Sequence, residues 1–171
     1  GLSLMSKFST GYWSISDPTN GFIAIRKTTL AALEPNLLSD NYFFESDLLF
    51  RLSTVRARVR ELAMFASYSD ETSSLSIWRA LFTFPWLHLR NFIKRVVYNY
   101  YVRDWSIGSI ELPVGVALLI IGTVFGLNSF EEARASNEAI TAGEAVLTAI
   151  GIILGFQFLL SFVSHDVQSE P

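Results

Sequence analysis

The sequence predicts an α/β domain over residues 1–75, an amphipathic helical segment over 76–108, a transmembrane hairpin over 109–164 and a short tail at 165–171. Three observations lead to this fold class. An alternating apolar run near the start is typical of a β-strand, and apolar residues at helical spacing follow it. Two long uncharged apolar runs near the end of the chain indicate membrane spans.

The composition limits the classes of function. The chain has 171 residues, a net charge of −3 and a pI near 5.4, so its overall charge is unlike that of a nucleic-acid-binding protein. It has no cysteine, which excludes disulfides, thiolate metal sites and a cysteine nucleophile. The first residue is Gly rather than Met and no signal-peptide pattern follows, so we expect a piece of a longer protein.

The first 75 residues mix strand and helix patterns. The stretch "GFIAIRK" (21–27) alternates like a short strand and leads into a helical "TTLAALE" (28–34). A second helix is predicted over 42–57, where one face carries the apolar residues Phe44, Leu48, Leu49, Leu52 and Val55. The stretch "RVRELAMFASY" (58–68) then reads as a second strand. A complete parallel sheet needs further βα units.

The segment over 76–108 combines aromatic residues with the basic residues Arg90, Lys94 and Arg95. We expect Pro85 to interrupt its helix, which gives one short and one longer piece. Aromatic rings and long cationic side chains suit a helix that lies at the membrane surface, with its charges on lipid phosphates. The alternative is a helix that packs on its own soluble domain with its charges solvated.

The two apolar runs predict spans at about 110–129 and 143–163. The alternative is a pair of buried core helices. Basic residues precede the first span, whereas the loop between the spans is mainly acidic, so the N-terminal domain and the tail are expected in the cytoplasm. We therefore expect an integral membrane protein. Glycines in both spans could also support a homo-oligomer.

Three polar clusters are candidate sites. In "SDPTNG", Asp17 and Asn20 could bind a polar ligand, with Gly21 allowing close backbone approach. Glu45 and Asp47 begin the second predicted helix, where acids also favour the helix dipole without any substrate. The acids at 70 and 71 precede a run of hydroxyl residues that resembles a helix cap. No Asp-x-Asp pair occurs, so no metal site is predicted in this chain.

Four stretches carry a family resemblance: "TGYWSISDPTNGFIAIRK", "NYFFESDLLFRL", "YSDETSSLS" and "HLRNFIKRVVYNYYVRDWSIGSIELPVG". In this order, and ahead of two spans, they resemble the C-terminal half of membrane-anchored family 2 glycosyltransferases. These are the dolichol-phosphate mannose synthase-like enzymes and their bacterial polyprenyl-phosphate relatives. The resemblance covers nearly the whole chain, and it implies a protein of the bacterial inner membrane.

The resemblance implies that residues 1–75 are the C-terminal part of a Rossmann-like GT-A domain. It places Asp17, Asn20 and Gly21 at the reaction centre, and Glu45 and Asp47 near the acceptor. The family binds a nucleotide sugar and Mg²⁺ or Mn²⁺ through an N-terminal half whose residues are absent here. We therefore expect these 171 residues alone to lack transferase activity.

The resemblance leaves two acceptor classes open. A polyprenyl phosphate is already an anion, so the transfer of a sugar to it needs no base. It needs cations that bind the phosphate, such as Arg90, Lys94 and Arg95. A sugar hydroxyl needs a carboxylate to take its proton, as Glu45 or Asp47 could. We favour the polyprenyl phosphate, in cell-envelope polysaccharide or glycolipid synthesis. The rival hypothesis is a non-catalytic membrane anchor or assembly protein, whereas the few polar residues in the spans disfavour a transporter.

Overall fold

The computed structural model describes residues 2–62 and 77–171. Six α-helices occur in this part of the chain: α1 (Leu2–Thr10), α2 (Lys27–Ala32), α3 (Phe44–Thr54), α4 (Ile77–Val97), α5 (Gly108–Ser136) and α6 (Ala142–Gln168). A 3₁₀ turn (Pro35–Leu37) precedes α3, and a π-helical turn (Tyr98–Arg103) follows α4. The chain divides into two compact units, Gly1–Arg103 with Ser169–Pro171, and Asp104–Gln168.

The predicted α/β class, as the C-terminal part of a Rossmann-like GT-A domain, is wrong for the described residues, because none of them forms a strand. The run over 21–26 is irregular, and Phe22 and Ile23 are exposed. Residues 58–62 of the second predicted strand are irregular as well, and the rest of it lies outside the described residues. Alternation favours a strand only where a neighbouring strand completes the hydrogen-bond ladder, and residues 2–62 and 77–171 contain no strand that could pair with either run.

Both predicted helices of the first unit are confirmed, as α2 and α3. Helix α1 was not predicted. Its sequence "LSLMSKFST" is rich in serine and threonine, which have low intrinsic helix propensity. Packing against α4 and α3 therefore decides its conformation.

The apolar core of the first unit lies on the inner side of α3. Its buried members are Tyr12, Ile15, Leu33, Leu48, Leu49 and Leu52. Burial of one leucine side chain contributes about 1.5–3 kcal/mol, so these contacts dominate the stability of the unit. The Tyr12 hydroxyl donates a hydrogen bond to the Ala57 carbonyl, which ties the segment after α3 to this core.

Helix α3 ends at a residue in the left-handed conformation. Arg56 has φ of 52°, and its N–H donates to the Ser53 carbonyl at 3.0 Å, while the Ala57 N–H donates to the Leu52 carbonyl at 2.9 Å. This pair of bonds is a Schellman motif, in which glycine is the usual residue at the left-handed position. Arginine there is strained by its Cβ.

Helix α4 continues through Pro85, so the predicted break is wrong. An interior proline removes one backbone hydrogen bond and costs about 3 kcal/mol. Contacts on both sides of Pro85 compensate for this cost. The Phe43 ring packs 5.9 Å from the Phe84 ring and 4.8 Å from the His88 ring, which holds the two parts of α4 against the same neighbour.

The second unit is a hairpin of α5 and α6, and both helices are long and apolar enough to cross a membrane. Only 11% of the most apolar window of each helix is buried, whereas a core helix of a soluble protein would be mostly buried. This exposure argues against the alternative of two buried core helices. Both helices extend beyond the predicted spans, to 29 and 27 residues.

Glycines allow α5 and α6 to approach closely. A Cβ on Gly151 would lie 3.0 Å from the Gly122 Cα, and one on Gly155 would lie 2.8 Å from the Leu119 backbone nitrogen. Small residues at such a crossing bring the two backbones into van der Waals contact. Gly122, Gly151 and Gly155 thus pack between the two helices of one hairpin. The homo-oligomer stays a prediction.

Candidate functional site

The segment Ser16–Gly21 is a turn that its own side chains stabilise. The Asp17 carboxylate accepts hydrogen bonds from the Thr19 hydroxyl at 2.9 Å and from the Thr19 N–H at 3.3 Å. The Asn20 side-chain oxygen accepts one from the Phe22 N–H at 2.9 Å. Asp and Asn favour such turns because their short side chains bond to the backbone two residues later. Both side chains are exposed.

Glu61 contacts the start of this turn. Its Oε1 accepts hydrogen bonds from the N–H groups of Ser16 and Asp17, each at 2.8 Å, and its Oε2 accepts one from the Ser16 hydroxyl at 2.5 Å. The bond from the Ser16 hydroxyl is the main reason why the pKa of Glu61 is lowered. Sequence analysis missed Glu61, whose only signal was its place inside a predicted strand.

Glu45 lies beside the other end of the turn. A Cβ on Gly21 would be 3.8 Å from Glu45 Oε1, with no nearer atom outside its neighbours in the chain. Glu45 is partly buried in the first turn of α3, and Gly21 is exposed. Two candidate residues that are far apart in sequence are therefore adjacent, and solvent reaches the place where they meet.

Asp47 faces the interior instead. It is only 3% exposed, and its Oδ2 accepts hydrogen bonds from Arg51 Nε and the Ser39 N–H, both at 3.2 Å. Its Oδ1 accepts one from Asn91 Nδ2 at 3.3 Å. Both oxygens are thus engaged by protein groups, which leaves a structural role for this carboxylate.

The buried face of α4 carries polar residues, because His88, Asn91 and Arg95 follow one another at helical spacing. His88 Nδ1 lies 2.8 Å from the Ser9 hydroxyl oxygen. Burial lowers the pKa of His88 to about 4, so the ring is neutral at physiological pH. Ser9 is 1% exposed, which keeps any substrate away from this Ser–His pair.

Arg95 is placed at the C-terminal end of α1. Its Nε and Nη2 donate hydrogen bonds to the Phe8 carbonyl at 3.2 and 2.8 Å. A Cβ on Gly11, which has φ of 78°, would lie 2.7 Å from Arg95 Nη1. The guanidinium therefore satisfies a free carbonyl at the negative end of the helix dipole, where a cation is favourable.

The outer face of α4 is apolar. Its exposed residues recur at helical spacing: Phe82, Trp86, Leu89, Ile93 and Val97. Arg90 and Lys94 are exposed one turn apart along one edge of this face. The helix thus exposes large apolar residues on one side while it buries His88, Asn91 and Arg95 on the other, which is unusual for a helix on a soluble protein. Of the three predicted phosphate-binding cations, Arg90 and Lys94 are accessible and Arg95 is buried.

The candidate residues separate into an exposed group and a buried group. Gly21 and Glu45 meet, whereas Asp47 and Arg95 are buried where α1, α3 and α4 pack together. The acids at 70 and 71 lie outside the described residues. Over residues 2–62 and 77–171, no three His, Cys, Asp or Glu side chains come close enough to share a metal ion.

One end of the hairpin carries a polar cluster that sequence analysis missed. The Ser161 hydroxyl donates to Glu111 Oε1 at 2.5 Å, and His165 Nε2 lies 3.2 Å from the Ser106 hydroxyl oxygen. Glu111 Oε2 is buried and makes no hydrogen bond within the described part of the chain. The sequence signal for this cluster was Glu111, which directly precedes an uncharged apolar run.

Comparisons of the chain with protein-family models, with curated proteins and with solved structures gave no match.

Proposed function

We propose that this chain is the acceptor-side and membrane-anchoring part of a family 2 glycosyltransferase. The enzyme moves a sugar from a nucleotide sugar to an acceptor in cell-envelope polysaccharide or glycolipid synthesis. Residues outside this chain bind the nucleotide and its Mg²⁺ or Mn²⁺. The two long apolar helices hold the reaction at the cytoplasmic surface of the membrane.

The proximity of Glu45 to Gly21 carries this proposal, since Glu45 Oε1 would lie 3.8 Å from a Cβ on Gly21. The two residues belong to two of the stretches on which the family resemblance rests. A glycine leaves room for a ligand next to the backbone, and a carboxylate beside it can bind a sugar hydroxyl. Asp17 and Asn20 are exposed in the same turn, so their remaining polar atoms are available to the same ligand.

The acceptor in this proposal is a polyprenyl phosphate. The outer face of α4 supports this choice, because it offers apolar residues to a lipid and places Arg90 and Lys94 at their edge. Cationic groups at such an edge bind lipid phosphates. Along the chain, α4 and the π-helical turn lead directly into α5, which is long enough to cross the membrane.

A sugar hydroxyl is the second candidate acceptor, and the position of Glu45 favours it. A hydroxyl must lose its proton during transfer, and a carboxylate within hydrogen-bond reach is the usual base. Glu45 is accessible at the turn, whereas the hydrogen bonds of Asp47 engage both of its oxygens.

A transfer assay on the full polypeptide that contains this chain tests the proposal, with polyprenyl phosphate and a soluble sugar as acceptors. For polyprenyl phosphate, we expect the double variant Arg90→Gln, Lys94→Gln to raise the acceptor KM by about tenfold, and Glu45→Gln to change turnover little. For a hydroxyl acceptor, Glu45→Gln should lower kcat by about 10²–10⁴-fold instead. Glu34→Gln, an exposed acid after α2, is the control.

The outcomes separate the candidates. Transfer to the soluble sugar with none to polyprenyl phosphate contradicts the lipid acceptor and leaves the hydroxyl acceptor. Transfer to neither acceptor contradicts the transferase proposal. The exposed face of α4 and the hairpin would then support a non-catalytic membrane anchor or assembly protein.

A further inference from the structure

We propose that Glu61 is a positioning residue, which fixes the orientation of the turn Ser16–Gly21 and thereby sets the approach of Gly21 to Glu45. The use of this approach as an acceptor site rests on the proposed function. The role of Glu61 in holding the turn is argued from its hydrogen bonds and does not depend on that function.

The hydrogen bonds within the turn fix its shape and not its orientation. Asp17 bonds to Thr19, and Asn20 bonds to the Phe22 N–H, so these partners all move together. The bonds from Ser16 and Asp17 to Glu61 instead join the turn to a segment more than 40 residues later in the chain. They are the contacts through which that segment holds the turn.

The segment that carries Glu61 is held in place where it begins. It follows the Schellman end of α3, and the Tyr12 hydroxyl binds the Ala57 carbonyl four residues before Glu61. Glu45 lies in the first turn of the same helix. Glu61 and Glu45, one near each end of the turn, are therefore both positioned by the same helix, α3.

A carboxylate suits this role better than an amide. Its two oxygens accept from two N–H groups and one hydroxyl, whereas a glutamine offers one acceptor oxygen. Hydrogen bonds to a charged acceptor are also about twice as strong as neutral ones. The same bonds, with a smaller contribution from Lys7, lower the pKa of Glu61 and keep it ionised at neutral pH.

Burial of neighbouring apolar groups is the competing explanation for the position of the turn. Ile15 and Pro18 are buried on either side of the bonded pair Ser16 and Asp17. If their burial alone held the turn, loss of the Glu61 charge would leave the turn in place. The variant Glu61→Gln distinguishes the two explanations, because it keeps the size of the side chain and removes the charge.

The first measurement is NMR of this chain in nanodiscs, wild type against Glu61→Gln, with Glu34→Gln as a control. In the wild type and the control, we expect the amide protons of Ser16 and Asp17 to titrate with a midpoint below the ordinary range of a glutamate. In Glu61→Gln, this titration and the nuclear Overhauser contact between Gly21 and Glu45 should disappear. Wild-type signals and an intact Gly21–Glu45 contact in Glu61→Gln would overturn the proposal.

The second measurement is the transfer assay on the full polypeptide, with polyprenyl phosphate as the acceptor. Glu61→Gln should raise the acceptor KM by about tenfold while the donor KM stays unchanged, and Glu61→Asp should restore part of the loss. Impaired transfer in the double variant Arg90→Gln, Lys94→Gln but not in Glu61→Gln would overturn the positioning role. No transfer by the wild type, with the amide titration lost in Glu61→Gln, would contradict the proposed function and still support Glu61 as the anchor of the turn.

Discussion

Glu45 and Asp47 lie two residues apart in the first turn of α3, and their surroundings give them different roles. Asp47 is buried and accepts hydrogen bonds from Arg51, Ser39 and Asn91, so it joins α3 to α4. Glu45 is directed toward Gly21 and is partly accessible. Residues two apart on a helix point to different sides, which explains how one short motif supplies both an internal link and a candidate site.

Replacement of Asp47 tests this division of roles. We expect Asp47→Ala to lower the free energy of unfolding by about 2–4 kcal/mol, because it removes the acceptor of the buried Asn91 amide and the ion pair with Arg51. Glu45→Ala should lower it by less than about 1 kcal/mol. Denaturant unfolding of both variants in nanodiscs, followed by circular dichroism, gives the comparison. An equal loss of stability in the two variants would contradict the assignment.

The buried His88 predicts a pH dependence of stability. Its pKa is about 4 in the folded state, whereas an unfolded histidine titrates near about 6.5. The unfolded state therefore binds more protons between these values. The stability that His88 contributes is complete above about pH 6.5 and is lost as the pH falls toward 4.

We expect this loss to reach about 3 kcal/mol in the wild type between pH 7 and pH 4. The variant His88→Gln, which keeps a side chain able to bond to Ser9, should lack this part of the decline. Unfolding midpoints of the wild type and His88→Gln, measured between pH 7 and pH 4, separate the contribution of His88 to the pH dependence from that of the carboxylates. Parallel profiles would show that His88 titrates normally in the folded state.

At the scale of the elements, the end of α3 offers a stabilising substitution. Arg56 has φ of 52°, which an L residue adopts only with strain, so Arg56→Gly should relieve it. We expect Arg56→Gly to be more stable than Arg56→Ala by about 0.5–1 kcal/mol, since alanine removes the long side chain and keeps the strain. Urea unfolding of the two variants measures the difference. A less stable glycine variant would contradict the Schellman end of α3.

The outer face of α4 is expected to contact lipid. In a chain that retains Trp86 as its only tryptophan, with Trp13, Trp78 and Trp105 replaced by phenylalanine, brominated lipids should quench the fluorescence. The depth of quenching should correspond to the headgroup region. A matched chain that retains only Trp13, which packs 4.9 Å from the Phe8 ring, should be quenched much less. Equal quenching of both would contradict a membrane-facing side of α4.

Sequence patterns predicted the elements that are defined by local spacing. The hairpin helices follow from two long uncharged apolar runs, and α2 and α3 follow from helical patterns, none of which depends on a distant partner. The first predicted strand and the described part of the second, residues 58–62, are irregular, because a strand depends on a neighbour that the pattern does not contain. The break at Pro85 failed for a similar reason, since the contacts of Phe43 that compensate for the proline are tertiary.

The candidate site shows the same division. The residue patterns and the family resemblance together pointed to Asp17, Asn20, Gly21, Glu45 and Asp47, and did not separate the accessible Glu45 from the buried Asp47. They did not show that Arg95 binds the Phe8 carbonyl or that Glu61 binds the turn, because both contacts join segments more than 40 residues apart. Spacing along a helix indicates a shared face, whereas only the folded chain shows which face is buried.

At the scale of the whole molecule, the hairpin depends on its glycines. Gly155→Ala would place a Cβ 2.8 Å from the Leu119 backbone nitrogen, which cannot move without separating the helices. We expect this variant to lose about 1–3 kcal/mol of stability in mixed micelles. Gly143→Ala is the matched control, because no atom lies within 4 Å of its added Cβ. Alanine has the higher helix propensity, so a similar loss in both variants would contradict the packing role of Gly155.

The central claim is that the turn Ser16–Gly21 and the start of α3 form the acceptor side of a transferase. Titration of a short-chain polyprenyl phosphate into this chain in nanodiscs, followed by NMR, tests it most directly. We expect the amide signals of Asn20, Gly21 and Glu45 to shift together, with those of Arg90 and Lys94 on α4. Saturable shifts confined to α5 and α6, with the turn and α3 unmoved, would contradict the account.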